Sequence, residues 1–349
     1  MTDPSNADPS QDAAPRKDKR VRSRADFDAT VADIEAQVRA TNARIEAQVR
    51  ATNAKIEERT GRNLVAAIVI GIVFGAAFIL SLILLKEVFM VFAAALFVAL
   101  ALELTSAFRA SGRNVPRVAS IIAAVAVVPA AYYTSAPLPD FLKHNFGWLH
   151  ENGQWFVLLA GMAFVTAWRL VEALLPSRRK PARELGIDLM AGIFIQAYAV
   201  FLGTFTVLLD GEPNGQWWVL SVLIVVVSTD TGAYAAGLLL GKHKMAPRIS
   251  PKKTWEGFGG SILAAVIAAL IVGLLLLHIP VWQCIVLGVA LALSATVGDL
   301  TESLIKRDLG IKDISNWLPG HGGFLDRLDS VLPSAAVAFA LFLIFNGAR

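Results

Sequence analysis

The sequence predicts an all-α, polytopic integral membrane protein with about nine transmembrane helices and a cytosolic N-terminus, preceded by an amphipathic helical arm. Three observations carry this. Apolar residues make up 55% of the 349 residues and charged ones 17%, where a soluble domain carries about 25% charged. The charge is unevenly placed: residues 1–63 hold 12 Lys/Arg and 11 Asp/Glu, and the remaining 286 hold only 20 and 17, or 13%. From Leu64 onward, apolar stretches of the length needed to cross a bilayer, about 20 residues, recur to the C-terminus. An ordinary soluble two-domain protein and a disordered main body are therefore excluded. The single cysteine, Cys284, excludes an intrachain disulfide framework and a multi-cysteine metal site. A net charge of +4, with no basic stripe in the main body, argues against nucleic acid as a partner.

The first domain is a cytosolic arm, residues 1–63. Residues 1–15 are polar and lack an apolar h-region, so no signal peptide is expected. The basic run Arg16 to Arg24 reads as a solvated arm, or as an electrostatic contact with anionic membrane lipids worth about 1 kcal/mol per basic residue near the surface. Ile34 to Arg44 then recurs almost unchanged as Ile45 to Lys55, and Ile56-Glu57 starts a third copy. Eleven residues make three turns at about 3.67 per turn, which puts Ile34, Ile45 and Ile56 on one stripe with Val38 and Val49. This predicts an amphipathic helix, either self-associating or lying on the membrane.

The second domain, 64–349, contains nine expected spans: 64–85, 88–108, 117–134, 155–175, 186–209, 217–241, 259–278, 281–300 and 331–347. With the basic arm inside, the connections at 109–116, 176–185, 242–258 and 301–330 are also inside, and each is basic. Those at 86–87, 135–154, 210–216 and 278–281 are outside and carry at most one Lys each. That alternation follows the positive-inside rule through every loop, which sets the orientation. The expected compartment is a prokaryotic cytoplasmic membrane.

Charged residues inside spans are expensive and mark function or pairing. Arg169 and Glu172, three apart on one helix, predict a local ion pair. Glu103 and Asp188 are either interhelical hydrogen-bonding groups or cavity lining. Asp230, in Ser228-Thr229-Asp230-Thr231, suggests a water-filled cavity, with a polar helix–helix contact as the alternative. The basic loop after that span brings Ser250, Lys252, Lys253 and Thr254 together, a donor set suited to polyphosphate.

The most informative region is 296–330. Asp299, Glu302, Ser303 and Lys306 fall at i, i+3, i+4 and i+7, a polar face on a helix that continues past the membrane. Downstream, Asp326 and Asp329 are three apart and face one way on a helix. Carboxylates with no soft ligand nearby suit Mg²⁺, which binds through one or two carboxylates plus substrate phosphates. Gly322 and Gly323 allow backbone N–H groups to approach an anion. His321 can donate a hydrogen bond but makes a poor zinc ligand without a second His or Cys. The residues alone indicate phosphoryl or nucleotidyl transfer to a lipid on the cytosolic side.

The pattern Ser303-x-x-Lys306-Arg307, four residues, Lys312-Asp313, then Pro319-x-His321-Gly322-Gly323-Phe324-x-Asp326-Arg327-Leu328-Asp329 resembles the signature of the phosphatidate cytidylyltransferase family, with every position filled. The resemblance extends to the 250–257 loop and the segment from Asp230 to Lys242, and covers roughly 64–349. It implies an all-helical membrane fold, usually a homodimer. The implied reaction is CTP with phosphatidic acid giving CDP-diacylglycerol and pyrophosphate, dependent on Mg²⁺, with a second metal ion. By match of motif, Asp299, Asp326 and Asp329 would hold metal. Lys306, Arg307 and Arg327 would hold phosphates. Ser250, Lys252, Lys253 and Thr254 would hold the triphosphate or the lipid head, and Lys312 and Asp313 would bind substrate. His321, Gly322 and Gly323 would shape an anion loop, and Asp230 would support the polar cavity or a metal.

Two other readings share some features. A CTP-dependent lipid (polyprenol) kinase has the same pair of substrate classes but would release CDP. A membrane transporter could use the intramembrane acids as an ion path, yet no inverted repeat is visible and the acids gather near one face. A scaffold built on the 11-residue repeat leaves 296–330 unexplained.

Overall fold

The computed structural model describes residues 37, 39, 41, 44, 64–135, 149–318 and 322–347, with side chains from 69 and from 152 in the two longer segments' first turns. The chain divides into two units, Met1–Val65 and Ala66–Arg349. In the first, Gln37, Arg39, Thr41 and Arg44 are helical and exposed. The basic run 16–24 and most of the 11-residue repeat lie outside the described residues.

The second unit is a helical bundle. Its helices are α1 (Leu64–Leu84), α2 (Lys86–Ala110), α3 (Arg117–Ser135), α4 (Leu149–Leu174) and α5 (Ala182–Ile195). A π-helical stretch, Gln196–Phe201, leads from α5 into α6 (Leu202–Gly211). Then come α7 (Gly215–Leu240), α8 (Trp255–Val272), α9 (Val281–Leu309), α10 (Leu325–Leu328) and α11 (Val331–Asn346). Each long helix is an apolar run that satisfies its own backbone groups, which hydrocarbon requires of a spanning segment. Among the described residues eight helices are long and apolar enough to cross a membrane, and α1 adds a shorter apolar stretch, Val69–Leu84. The protein is an all-α polytopic membrane protein. Many large apolar side chains are exposed on the bundle's outer faces, such as Val91, Leu174, Leu239 and Ile344, as expected where lipid is the solvent.

Several boundaries differ from the apolar windows, because helices begin in polar first turns that such windows miss. The span expected at 259 starts at Trp255, capped by Thr254, whose Oγ1 accepts from the Gly257 N–H at 3.1 Å. The span expected to end at 300 continues to Leu309, where Gly310 at φ 69° closes it. Between α7 and α8 the basic loop forms a hairpin of β1 (Lys244–Ala246) and β2 (Ser250–Thr254), paired antiparallel with Lys244 opposite Thr254.

Among the described residues the apolar interior has two large parts and a small third of Ala119, Ala123 and Val165. One gathers Leu100, Leu104, Ile195, Leu208 and Leu325. The other gathers Val222, Val225, Ala265, Leu287 and Leu291. Helices α7 and α8 pack closely through small residues: a Cβ at Gly232 would lie 2.6 Å from the Gly260 carbonyl oxygen, so both positions exclude a side chain.

The described connections sort onto two ends of the bundle. At one end Arg113 pairs with Asp308 at 2.6 Å, Lys180 donates to the Gly112 carbonyl at 2.8 Å, and Arg307 Nε donates to the Ile249 carbonyl at 3.4 Å. These bonds join all four of the connections read as basic inner loops. Elsewhere Lys86 Nζ donates to the Glu212 carbonyl at 3.0 Å, joining two connections of the other set.

The expected Arg169–Glu172 pair does not form. Arg169 turns to Asp188 on α5, with Nε and Nη2 at 3.1 and 2.8 Å, and both side chains are 1% exposed. Glu172, nearer the surface, pairs with Arg178 and accepts from Trp168 Nε1 at 3.2 Å. Both nitrogens donate to one oxygen, Asp188 Oδ2, so the buried guanidinium meets a carboxylate as desolvated as itself, which the more exposed Glu172 is not. Asp188 also accepts from the Asn114 N–H at 2.8 Å and from Lys180 at 3.2 Å, so it is a hydrogen-bonding group that ties helices and connections together.

Candidate active site

The site is built on the last three turns of α9. Its polar face emerges as the sequence periodicity indicates: Ser303 Oγ donates to Asp299 Oδ1 at 3.4 Å, and Lys306 Nζ reaches Glu302 Oε2 at 2.6 Å. Lys306 also reaches Asp326 Oδ1 at 3.1 Å, bridging α9 to the segment around α10. On that segment the Gly323 N–H donates to Asp326 Oδ2 at 2.7 Å, and the Ser330 N–H donates to Asp329 Oδ1 at 2.7 Å. Leu318 and Gly322 exchange backbone hydrogen bonds of 2.9 and 3.1 Å, which closes the loop between them. Gly322 sits at φ 88°, a left-handed conformation that favours glycine.

Asp299, Glu302 and Asp329 converge, each offering a carboxylate oxygen within 4.8 Å of the others. The approach depends on Gly298, where a Cβ would lie 2.8 Å from Pro333 Cγ and 3.0 Å from the Asp329 carbonyl carbon. Three carboxylates at such spacing repel by about 3 kcal/mol per pair at an effective dielectric of about 20. Lys253 Nζ, at 2.5 Å from Asp299 Oδ2, and Lys306 offset part of this. Glu302 is 3% exposed, and its Oε1 has no hydrogen-bond partner among the described residues. Oxygen atoms around one Mg²⁺, at about 2.1 Å each, lie roughly 3–4 Å apart, so a small contraction would seat a hard divalent cation here. The all-oxygen donor set and the orphaned Glu302 oxygen both fit such an ion.

Beside the acids lies a cleft of about 200 Å³ lined by Ser250, Lys252, Lys306, Arg307 and Lys312, among others. Alternation along β2 explains the division of labour, since adjacent strand residues point to opposite sides. Lys252 lines the cleft, and Lys253 turns to Asp299. Asp230, on α7, lies near enough for the charges of Asp299, Lys253 and Arg327 to bear on it, and it is not among the residues that line the cleft.

The match of a family model for the cytidylyltransferase family covers residues 65–345. The chain belongs to the cytidylyltransferase family. It is 35% identical over 294 residues to the phosphatidate cytidylyltransferase of Mycobacterium bovis, spanning 82% of this chain and 90% of the relative. It is 34% identical over 299 residues to that of Mycobacterium leprae, spanning 82% and 89%. It is 43% identical over 156 residues to that of Brucella suis, spanning 44% and 57%. Membership of the cytidylyltransferase family makes the chain a nucleotidyltransferase.

Most residues singled out in the sequence meet in one place. Asp299 and Asp329 share the carboxylate cluster, and Asp326 stands next to it, held by Lys306 and the Gly323 N–H. Ser250, Lys252, Lys306, Arg307 and Lys312 share the cleft. Asp313 follows Lys312 outside the cleft lining, half-buried. Thr254 is 6% exposed and caps α8, at the end of the hairpin that carries Lys252 and Lys253. His321, with Pro319 and Gly320, lies outside the described residues.

Two acids have roles that sequence reasoning did not assign. Glu302, placed on the polar face but given no role, joins Asp299 and Asp329 in the cluster, with Asp326 beside it; its i, i+3 spacing from Asp299 was the available signal. Glu103, 1% exposed on α2, clamps the signature loop. Its Oε1 accepts from Ser315 Oγ at 2.5 Å and the Phe324 N–H at 2.8 Å, and its Oε2 accepts from the Leu325 N–H at 2.9 Å. This settles Glu103 as a hydrogen-bonding group. Gly323 makes room for it, since a Cβ there would lie 2.9 Å from Glu103 Oε1.

Proposed function

We infer that the chain works as a phosphatidate cytidylyltransferase of phospholipid biosynthesis, transferring CMP from CTP to phosphatidate to give CDP-diacylglycerol and pyrophosphate. The observation that carries the reading is one lysine, Lys306, shared between a cation-lined cleft and a cluster of carboxylates, in a chain of the cytidylyltransferase family. The nucleophile is a phosphate oxygen of phosphatidate, already ionised near neutral pH, so no strong general base is needed. That oxygen bonds to the α-phosphorus of CTP as the bond from this phosphorus to the β-phosphate's bridging oxygen breaks, and pyrophosphate leaves with the bond's electron pair. The obstacle is repulsion between two polyanions. Lys252, Lys306, Arg307 and Lys312 hold and neutralise the departing phosphates, and Arg327 would hold the acceptor phosphate. Asp299, Glu302 and Asp329 would hold Mg²⁺, with Asp326 oriented toward the same region and a second ion accommodated by Asp230. Bound there, the ion supplies charge neutralisation for the reacting phosphates.

The proposed setting is a prokaryotic cytoplasmic membrane with the site facing the cytosol. The gathering of all four basic connections at the site's end supports that orientation. CTP then enters from the cytosol and the phosphatidate head enters from the bilayer. The family resemblance supports a homodimer. The deciding experiment incubates purified protein with labelled CTP and phosphatidate, with Mg²⁺ or chelator. Metal-dependent release of pyrophosphate with CDP-diacylglycerol is expected. Release of CDP would replace this reading with a lipid kinase, and no turnover would refute both.

A further inference from the structure

Lys252 and Lys253 stand on the β1–β2 hairpin, whose own pairing is slight. Lys244 pairs with Thr254 and Ala246 with Ser250, and the register is irregular between them. A two-stranded hairpin is only marginally stable by itself in water. Yet Lys252 lines the cleft while Lys253, one residue on, reaches Asp299 Oδ2 at 2.5 Å. A slip of the pairing by one residue would exchange the sides on which the two lysines stand. Contacts outside the strands must therefore fix the hairpin. Near its tip, Arg307 Nε donates to the Ile249 carbonyl at 3.4 Å, a long bond. The base is held more firmly. The Trp255 N–H donates to the His243 carbonyl at 3.0 Å, and Glu256, in the first turn of α8, gathers the remaining donors. Glu256 Oε2 accepts from the Lys242 N–H at 3.1 Å and the His243 N–H at 3.2 Å, and Oε1 meets His243 Nδ1 at 2.5 Å. An ionised carboxylate only accepts, so Nδ1 carries the proton in that last bond. Neither Glu256 nor its partners line the cleft.

We propose that Glu256 is a positioning residue for the site. By holding the entry to β1 against the start of α8, it sets the register that places Lys252 in the cleft and Lys253 on Asp299. The inference rests on the reading that Lys252 holds the phosphates of the substrate. Hydrogen bonds to an ionised carboxylate are about twice as strong as neutral ones. Those on Glu256 tie residues 242, 243 and 256 into one corner. From that corner β1 leads out, and β2 returns to it through Thr254, itself held as the cap of α8. With both strands fixed at this end, Lys252, two residues before Thr254, keeps one side of the hairpin.

The test compares Glu256→Ala with Glu256→Gln in the full chain. Alanine removes every acceptor. Glutamine keeps an acceptor for the two N–H groups and can donate its amide to a neutral His243 ring, so it loses the charge and keeps most of the bonding. In Glu256→Ala, hydrogen exchange should rise in peptides covering 242–254 and stay at the wild-type level in α3 and α5. Its kcat/KM should fall by about tenfold or more, the effect of losing one hydrogen bond to a charged group. That loss should shrink when Lys252 is already Met, because the clamp acts through this lysine. Glu256→Gln should lose less on both measures. Wild-type exchange and turnover in Glu256→Ala overturn the proposal, as does exchange that rises throughout the bundle. An undiminished loss in the Lys252→Met background also overturns it, and so does an equal loss in Glu256→Gln, which would mark a role of the charge itself. If wild-type protein forms no CDP-diacylglycerol from CTP and phosphatidate, the cytidylyltransferase reading fails separately. Calorimetric binding of inorganic pyrophosphate then decides the proposal: weaker binding in Glu256→Ala supports it, and unchanged binding refutes it.

Discussion

Replacing Glu103 by Gln alters no residue that touches substrate, yet it should disable the site. The Glu103 carboxylate accepts from two consecutive backbone N–H groups, those of Phe324 and Leu325, one on each oxygen at 2.8 and 2.9 Å. Gln retains one acceptor oxygen. Whichever N–H that oxygen meets, the amide NH₂ is turned toward the other, donor against donor, in surroundings where the side chain is 1% exposed. The loss comprises one hydrogen bond to a charged group, about 1.5–3 kcal/mol, overlapping with the penalty for a buried unpaired N–H, about 1–3 kcal/mol. Taking about 3 kcal/mol for the two together, the ordered form of the 322–330 loop loses about two decades of population relative to looser ones. Asp326 and Asp329 ride on that loop, so kcat/KM should fall by about 100-fold. Two measurements check this: turnover of CTP and phosphatidate, and hydrogen exchange of peptides covering 322–330. Exchange should rise there and remain unchanged in α7 and α8. Glu103→Gln protein with wild-type turnover and unchanged exchange would refute the clamp.

Other perturbations separate charge, geometry and stability. Lys306→Met removes the cation shared by Glu302 and Asp326 and one wall of the cleft. Its kcat/KM should fall at least 100-fold with the protein still folded by circular dichroism, and near-normal kinetics would contradict the shared-lysine argument. Gly298→Ala places a methyl against Pro333 and the Asp329 backbone, forcing Asp299 and Asp329 apart. Turnover more than tenfold lower and weaker metal activation are expected, measured by titrating Mg²⁺. Arg169→Met strips the buried partner from Asp188, and breaking a buried pair costs about 3–5 kcal/mol. The unfolding midpoint in detergent should drop while KM for CTP stays put. A shift in KM without loss of stability would place this pair in the site instead.

The parts legible in the sequence are those encoded by local spacing. Apolar length gave the spans, and the i, i+3, i+4, i+7 pattern on α9 gave the polar face that the structure shows. What escaped was long-range pairing. Arg169 had a plausible partner three residues away, but its bonds go to Asp188, 19 residues on, because shared burial outweighs proximity along the chain. Glu103 meets Phe324 and Leu325 across more than 200 residues, a relation no spacing reveals. Thr254 shows a signal that was legible and unused: a Thr opening an apolar helix is a recognisable cap. The π-helical stretch Gln196–Phe201 has no residue pattern that distinguishes it from continuous helix.

The balance of charge at the site bears on what it recognises. Lys252, Lys253, Lys306, Arg307, Lys312 and Arg327 contribute six formal positive charges, and Asp230, Asp299, Glu302, Asp326 and Asp329 contribute five negative ones. Such a site is nearly neutral as a whole, although a nucleoside triphosphate brings a charge of roughly −3 to −4 and a phosphomonoester a further −1.5 to −2. A pocket evolved to hold those anions through cations alone would have no use for five carboxylates. Carboxylates there do make sense if the nucleotide arrives with divalent cations whose charge the acids and phosphates share. They also prevent uniform, tight binding of free polyanions, which would lower KM without raising kcat. The lysines that pair with the acids would then have a double use, since Lys253 and Lys306 neutralise Asp299 and Glu302 here, and an ion held by the same acids would leave both lysines to the phosphates. The metal and the lysines would thus be coupled, with each lysine freed for catalysis by the ion that takes its place.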